Sequence, residues 1–494
     1  MGCRFQGSML GLFVWLAAVF AADAPAAAPR PPNFLFIYTD DQRWDALGVV
    51  QREQGERGRF PWLQTPNLDR LAAAGVRFRN AFVVNSLCSP SRATLLTGQY
   101  SHANGVVNNQ LPHPAGSLSL PGLLRPAGYT SAYIGKWHHG KDSGKRPGFD
   151  FSASYVGQGV YFNCPFEIDG VATPTAGFVD DVATDYAARF IRDHRAEPFL
   201  VILGFKTCHG PFLPPPRHER TYDGERARRT PNLGVRPPYK KAGAAAGGGP
   251  VETGDDDTVP TNLGMFRGLT AIDDNVGRLL DLLDELGLAD DTVVCFSSDN
   301  GFYLGEHGLG DKRSAYDESM RVPLLVRYPR LAAAGRVEDR MVLNVDTAPT
   351  FLDLAGVPVP AAMHGRSWRP LLAGEGDAPW RDSFFYCYFF ERNFATPTTT
   401  ALRTADAKLI VYPGHDDWTE VFDLAADPYE TRNLAADPAH AELRRSLEAA
   451  YEEQSRAIGF HVPAFADVPP SDGPMPGDVK LTPRKKKRRP AGQP

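Results

Sequence analysis

Cys88-Ser89-Pro90-Ser91-Arg92, running into Ala93-Thr94-Leu95-Leu96-Thr97-Gly98, is the stretch of this chain best equipped for chemistry. Proline is favoured in the first turn of a helix, where its missing N–H costs nothing. The spacing therefore predicts Cys88 at a helix N-terminus, where free N–H groups and the macrodipole attract anions. Arg92 lies one turn further on, on the same face. A reactive side chain beside a guanidinium and a positive helix end suits a tetrahedral oxyanion. Asp40 and Asp41, in Thr39-Asp40-Asp41-Gln42, taken alone read as a turn or a helix cap. Asp299 and Asn300, in Ser298-Asp299-Asn300-Gly301, also close an apolar run and change that reading. Three carboxylates and an amide oxygen at neighbouring strand ends suit a divalent hard cation, and the oxygen-only set favours calcium or magnesium over zinc. Without a cation those carboxylates would repel one another. Lys136 and His138, in Gly135-Lys136-Trp137-His138, set a cation and an imidazole two residues apart, facing the same way on extended backbone. A surface lysine and a core histidine are the plain alternative.

These residues need a frame that brings them together. Asn33 to Thr39 reads as a short apolar strand, Leu68 to Ala74 as a helix, and Ser131 to Ile134 as a strand leading into Lys136. Val179 to His194 reads as a helix and Pro198 to Phe205 as a buried strand. Leu263 to Leu286 carries a long helical period. Thr292 to Ser298 and Val322 to Tyr328 are further strands. Continuous apolar strands alternating with helices imply an α/β fold whose largely parallel sheet is covered on both faces. Ligands bind such sheets beyond the carboxyl ends of the strands. Asp40, Lys136, His209 and Asp299 each follow a candidate strand directly. Residues 211–260, rich in Pro, Gly and charge, read as a long surface excursion over the active face, mobile in part. A composition change near Leu371 to Pro379 marks a second, smaller α+β domain over residues 376–468. Phe384 to Phe390, Lys408 to Tyr412 and Glu420 to Leu424 predict its antiparallel sheet, and Ala439 to Ser455 a closing helix. Residues 469–494 read as a disordered basic tail with Arg484 to Arg489 all basic, or as a loose attachment to an acidic polysaccharide or membrane surface.

The 494 residues suffice for a large core plus a smaller domain, and a formal net charge of −5 argues against a general nucleic-acid binder. Arg4, the apolar run Met9 to Ala22 and Ala22-Asp23-Ala24 read as a signal peptide over residues 1–24, implying an exported, periplasmic or secreted protein. The run is short for a membrane span, and no other stretch reads as transmembrane. Gln6 stands where a myristoylation signal needs Ser or Thr. Cys3 would leave with the signal, so Cys88, Cys164, Cys208, Cys295 and Cys387 remain, with no C-x-x-C pair for zinc or redox chemistry. Their pairing stays open, with Cys295 reading as a buried thiol.

The Cys88 passage resembles the signature of the formylglycine-dependent sulfatases, C-x-P-x-R with a trailing L-T-G. The resemblance runs from Asn33 to about Leu434, where Asp423-Leu424, Asp427-Pro428 and Asn433-Leu434 match a common C-terminal passage of that family. It implies an alkaline-phosphatase-like three-layer sandwich and conversion of Cys88 to Cα-formylglycine by a maturase. It further implies one calcium ion on Asp40, Asp41, Asp299, Asn300 and residue 88. Arg92 would activate the nucleophile. Lys136 would bind the sulfate, and His138 the formylglycine hydroxyl. His209 would be a sulfate contact, although Cys208 stands where the family usually has proline. Lys312 would bridge substrate and metal site, and Lys312 or His209 would protonate the leaving alcohol. His307 reads equally as a lining of the substrate pocket or a structural histidine, and Glu318 and Arg321 as scaffold charges. The run from Ser298 to Pro329 looks most like bacterial N-acetylglucosamine-6-sulfatases and mucin-desulfating enzymes. The expectation is thus an exported sulfuric-ester hydrolase of sulfated carbohydrate. Its rivals are a phosphonate monoester or phosphodiester hydrolase of the same superfamily, and a non-catalytic binder of sulfated glycans with Cys88 left as a thiol.

Overall fold

The computed structural model describes residues 1–2, 30–240, 256–392 and 394–463. Most of the expected signal peptide (residues 3–24), residues 241–255 and the expected basic tail lie outside the described residues. Among the described residues the main sheet has ten strands. Its five central strands, Thr292–Ser298, Asn33–Thr39, Phe199–Gly204, Thr130–Lys136 and Phe151–Tyr155, run parallel in that spatial order. Leu325–Arg327 joins one side antiparallel, followed by Val76–Phe78 and Arg336–Glu338, while Phe166–Ile168 and Val171–Thr173 complete the other side antiparallel. The sheet is therefore mixed at its edges and parallel at its centre, where crossover helices force that direction.

Alternate residues of each central strand enter opposite cores, as strand geometry requires. Leu35, Ile37, Leu203 and Phe296 pack under the helices Pro66–Ala73, Val179–Asp193 and Leu263–Glu285. Phe34, Phe36, Ile202 and Cys295 pack on the other face against Leu95, Leu96 and Phe351, from the helices Cys88–Thr97 and Thr347–Leu354. Burial on both faces is why these strands lack a polar alternation.

Beyond it, Ser383–Tyr388, Thr399–Thr404, Ala407–Val411 and Glu420–Asp423 form a four-stranded antiparallel sheet in chain order. The strand Thr399–Thr404 escaped the sequence reading because threonines dominate it. Helix Ala441–Ala457 covers one face through Leu447. The other face is continuous with the main domain, where Phe384 to Phe389 share one core with Phe82, Leu87, Tyr303 and Tyr316. Cys387 N–H donates to the Val84 carbonyl at 3.0 Å across that junction.

The described part of the excursion is anchored. Arg217 pairs with Asp181 and Asp274, Arg228 donates to the carbonyls of Gly55, Glu56 and Gly58, and Ala227–Arg228 pairs with Thr258–Val259. All five described cysteines are buried and free. No described helix is long and apolar enough to cross a membrane.

Candidate active site

Thr39 and Ser298 are partners in the central parallel pairing, so Asp40 and Asp299 leave the sheet at the same level. Asp41 takes a left-handed backbone (φ 66°), which turns its N–H onto Asp299 Oδ1 at 3.2 Å and keeps both aspartates buried. Lys136 ends its strand in the same layer, with Nζ against Asp40 Oδ2. His209 follows the strand Phe199–Gly204. Asp180 holds that segment, accepting from the Lys206 and Thr207 N–H groups at 2.8 and 3.1 Å.

Cys88 opens its helix as the sequence predicts, and Gly98 closes it in a left-handed cap donating to the Thr94 carbonyl. Cys88 Sγ lies 3.3 Å from Asp40 Oδ1, 2.9 Å from Lys312 Nζ and 4.0 Å from Lys136 Nζ. Arg92, one turn on, grips Asp299 Oδ2 through Nε (2.9 Å) and Nη2 (2.7 Å). Its Nη1 donates to the Tyr38 hydroxyl at 3.1 Å and to the Lys136 carbonyl. Lys312 also donates to Asp41 Oδ1. Three carboxylates, a guanidinium and two lysine amines thus interlock around one sulfur, with burial holding the Lys136 amine well below the usual lysine range.

The donor set fits a hard cation. Ligand atoms of Asp40, Asp41, Cys88 and Asp299 all lie within 4.8 Å of one another. Asn300 donates through Nδ2 to Asp41 at 2.6 Å, which leaves its Oδ1 buried without a partner. An orphaned buried acceptor beside three carboxylates is what an oxygen-binding ion would satisfy.

Burial, only partly offset by Lys312, pushes the Cys88 thiol up to about 12. Burial also raises Asp41. Against the burial cost, Asp41, Cys88 and Asp299 hold the Lys312 ammonium above the usual lysine range. Burial and then the lysines at 136 and 312 hold His209 neutral, and burial, Lys136 and Arg92 do the same for His138.

Two expectations are corrected. The strand stops at Lys136 and His138 adopts φ 53°, so the same-face alternation of Lys136 and His138 does not apply. His138 reaches the site through a turn instead, its carbonyl accepting from Ser89 Oγ beside Cys88. His307 is not brought to the cluster. It is fully buried and stacks on Tyr316 at 3.8 Å, with Nε2 3.1 Å from Asn232 Nδ2 and 3.7 Å from Glu318 Oε2. Burial takes it down to about 3. These contacts are those of the structural-histidine alternative, and Glu318 shares them by accepting from Asn232 Nδ2 at 2.7 Å. The sequence reading missed Tyr38, Ser89, Asp180, Gln158 and Lys206. Lys206, three residues before His209, donates to the Gln158 carbonyl at 2.9 Å, and the Tyr161 hydroxyl donates to the His209 carbonyl. The one visible signal was Gly157-Gln158-Gly159, a polar residue between two turn formers.

A model of the sulfatase family matches residues 32–357 of this chain. The chain belongs to the sulfatase family. A second model, described as the N-sulphoglucosamine sulphohydrolase C-terminal region, matches residues 305–457. The chain is 31% identical to an N-acetylglucosamine-6-O-sulfatase of Bacteroides thetaiotaomicron, over 89% of each chain. It is 30% identical to an ulvan-active sulfatase of Formosa agariphila, over 87% of this chain and 82% of the relative. A solved complex of a protein with its substrate D-glucosamine-2-N,6-O-disulfate is similar at a TM-score of 0.77 and 31% identity, covering 87% of this chain and 98% of that one. A phosphonate monoester hydrolase from Silicibacter pomeroyi shares the fold at a TM-score of 0.69 and 24% identity, over 86% of this chain and 96% of that one. As a member of the sulfatase family the protein is a sulfuric ester hydrolase.

Proposed function

We propose that this sulfatase is an exported enzyme that removes sulfate from sulfated glycans, using residue 88 matured to formylglycine by a maturase and one calcium ion. The observation that carries the reading is the convergence of Asp40, Asp41, Asp299 and the unpartnered Asn300 oxygen on Cys88, with Arg92, Lys136 and Lys312 interleaved. Residues 25–375 would form the catalytic domain and 376–468 the C-terminal subdomain. The names of its relatives favour an amino-sugar 6-sulfate as substrate.

Calcium, held by Asp40, Asp41, Asp299, Asn300 and residue 88, would supply positive charge that acidifies an oxygen nucleophile. Matured and hydrated, residue 88 would supply one hydroxyl to attack sulfur and a second whose deprotonation expels sulfate as the aldehyde reforms. Arg92 orients the metal carboxylates and adds charge at the helix end. Lys136, His209 and Lys312 are positioned to spread the charge of the sulfuryl oxygens. Lys312 would donate the proton to the leaving alcohol, with His209, whose Nδ1 donates to the Gly210 carbonyl at 2.8 Å, as the other candidate donor. His138 takes the last proton from residue 88.

The test combines chemistry and mass. Protein made with a formylglycine-generating enzyme is expected to carry an aldehyde on the Cys88 peptide and to hydrolyse glucosamine 6-sulfate far faster than an aryl phosphonate. Equal turnover by material bearing only the thiol would refute the formylglycine reading. Preference for the phosphonate would favour the rival hydrolase, and an unmodified thiol without turnover the glycan binder.

A further inference from the structure

We infer that Gln158, a residue outside the catalytic set described above, is a positioning residue that engages Nε2 of His138 and leaves Nδ1 as the nitrogen that serves residue 88. The inference deepens the proposed function and rests on its assignment of His138.

The contact is direct. The Gln158 side-chain amide meets His138 Nε2 at 3.0 Å through Nε2. His138 Nδ1 is buried and has no protein partner, and neither does Gln158 Oε1. Only one ring nitrogen is therefore free for a reacting group. The surrounding chain is built to present this amide. Gly157 and Gly159 both take left-handed backbone, with φ of 62° and 60°. A Cβ on Gly159 would sit 2.5 Å from the Tyr155 ring, so no larger residue fits there without displacing it. The Gln158 carbonyl accepts from Lys206, and Tyr161 ties the same loop to the His209 backbone. The loop thus braces both candidate histidines from one side, while Ser89 fixes the His138 backbone from the other.

The chemistry sets the tautomer. To take a proton at Nδ1, neutral His138 must carry its own on Nε2, since a neutral imidazole has one donor and one acceptor. Gln158 then accepts that N–H through Oε1, half a turn of the amide away from the present arrangement. In the step this supports, Nδ1 takes the proton of the second hydroxyl on residue 88. The electrons of that O–H bond form the C=O bond. The bond from the same carbon to the sulfate oxygen breaks, and sulfate leaves with the pair.

Two readouts test it. In full-length protein with selectively 15N-labelled histidine and Cys88 left as thiol, NMR is expected to find His138 neutral with its proton on Nε2. Gln158→Glu, which also accepts, should keep that tautomer, and Gln158→Leu should lose it. A wild-type proton on Nδ1, or a tautomer indifferent to Gln158→Leu in a folded variant, overturns the inference. In matured enzyme with 4-nitrophenyl sulfate, Gln158→Leu should release one burst of nitrophenol and then turn over roughly 10- to 100-fold more slowly, the range typical of lost outer-shell partners. Sulfate should accumulate on residue 88 by mass spectrometry, with partial rescue in Gln158→Glu. Slower turnover without burst or adduct overturns it. Inactive matured wild type would instead sink the proposed function, while the NMR measurement would still decide whether Gln158 sets the His138 tautomer.

Discussion

With its pKa pushed up to about 12, by burial foremost, the Cys88 thiol is protonated at neutral pH and a poor nucleophile. Its surroundings of carboxylates serve an oxygen nucleophile and a cation better than they serve a thiolate. Cys88→Ala is therefore expected to abolish sulfate-ester hydrolysis while leaving the fold intact, checked by turnover alongside thermal melting. Arg92 shows how little freedom the residue scale allows. Its planar fork meets Asp299, Tyr38 and the Lys136 carbonyl at once, a geometry lysine cannot copy. Arg92→Lys should cost about 2 kcal/mol of stability from lost charge-assisted hydrogen bonds and reduce kcat more than KM. Unchanged kcat would remove Arg92 from the catalytic set.

At the scale of elements, the strand Glu420–Asp423 carries a buried carboxylate whose titration has a definite sign. Glu420 accepts from Tyr316 (3.0 Å) and Tyr412 (2.7 Å), and burial raises its pKa from 4.5 to about 7. Because the folded value exceeds the unfolded one, the stability tied to its proton is fully present below pH 4.5. It is lost as pH rises through about 7, by about 3 kcal/mol in all. Glu420→Gln removes the titration. Its unfolding free energy, compared with that of the wild type by denaturant titration, should gain steadily between pH 4.5 and 8. A constant difference would contradict the assignment. A second element-level contact crosses between helices. Asp273, on Leu263–Glu285, accepts from Leu68 N–H (2.8 Å) and Asn67 N–H (3.1 Å) at the start of Pro66–Ala73. It thereby caps a helix that has no side-chain cap of its own. Asp273→Ala should cost about 1–2 kcal/mol, read from chemical denaturation.

For the whole molecule, the acidic cluster and the shared core lead to two expectations. Stripping metal with a chelator should abolish turnover and lower the melting temperature of the matured enzyme, both restored by calcium, since an ion that binds only the folded state stabilises it. No change in either would remove calcium from the site. The small sheet is welded to the main domain through Phe384 to Phe389 and through the buried Arg313–Glu391 pair, which adjoins Lys312. A chain cut after residue 375 would bare that apolar face and is expected to aggregate, as seen by light scattering.

Unbroken apolar runs located the central strands Asn33–Thr39 and Thr292–Ser298, because residues buried on both faces leave no polar interruption, and helical patterning located the helices Val179–Asp193 and Leu263–Glu285. The same reading placed Asp40, Lys136 and Asp299 at strand ends, whereas His209 sits in the turn after Gly204, its N–H donating to the Lys206 carbonyl. A parallel sheet turns strand ends far apart in sequence into neighbours. The threonine-rich strand Thr399–Thr404 was hidden because its burial is supplied by partners rather than by its own apolar content. Only the packed chain decided which way each side chain turns. The left-handed backbone at Asp41 and His138 cancels strand alternation, and stacking on Tyr316 withdraws His307 into the core. The Gly157-Gln158-Gly159 turn brings an amide to His138 across twenty residues. Sequence spacing fixes which residues can reach a site, while contact between distant segments fixes what each one touches there.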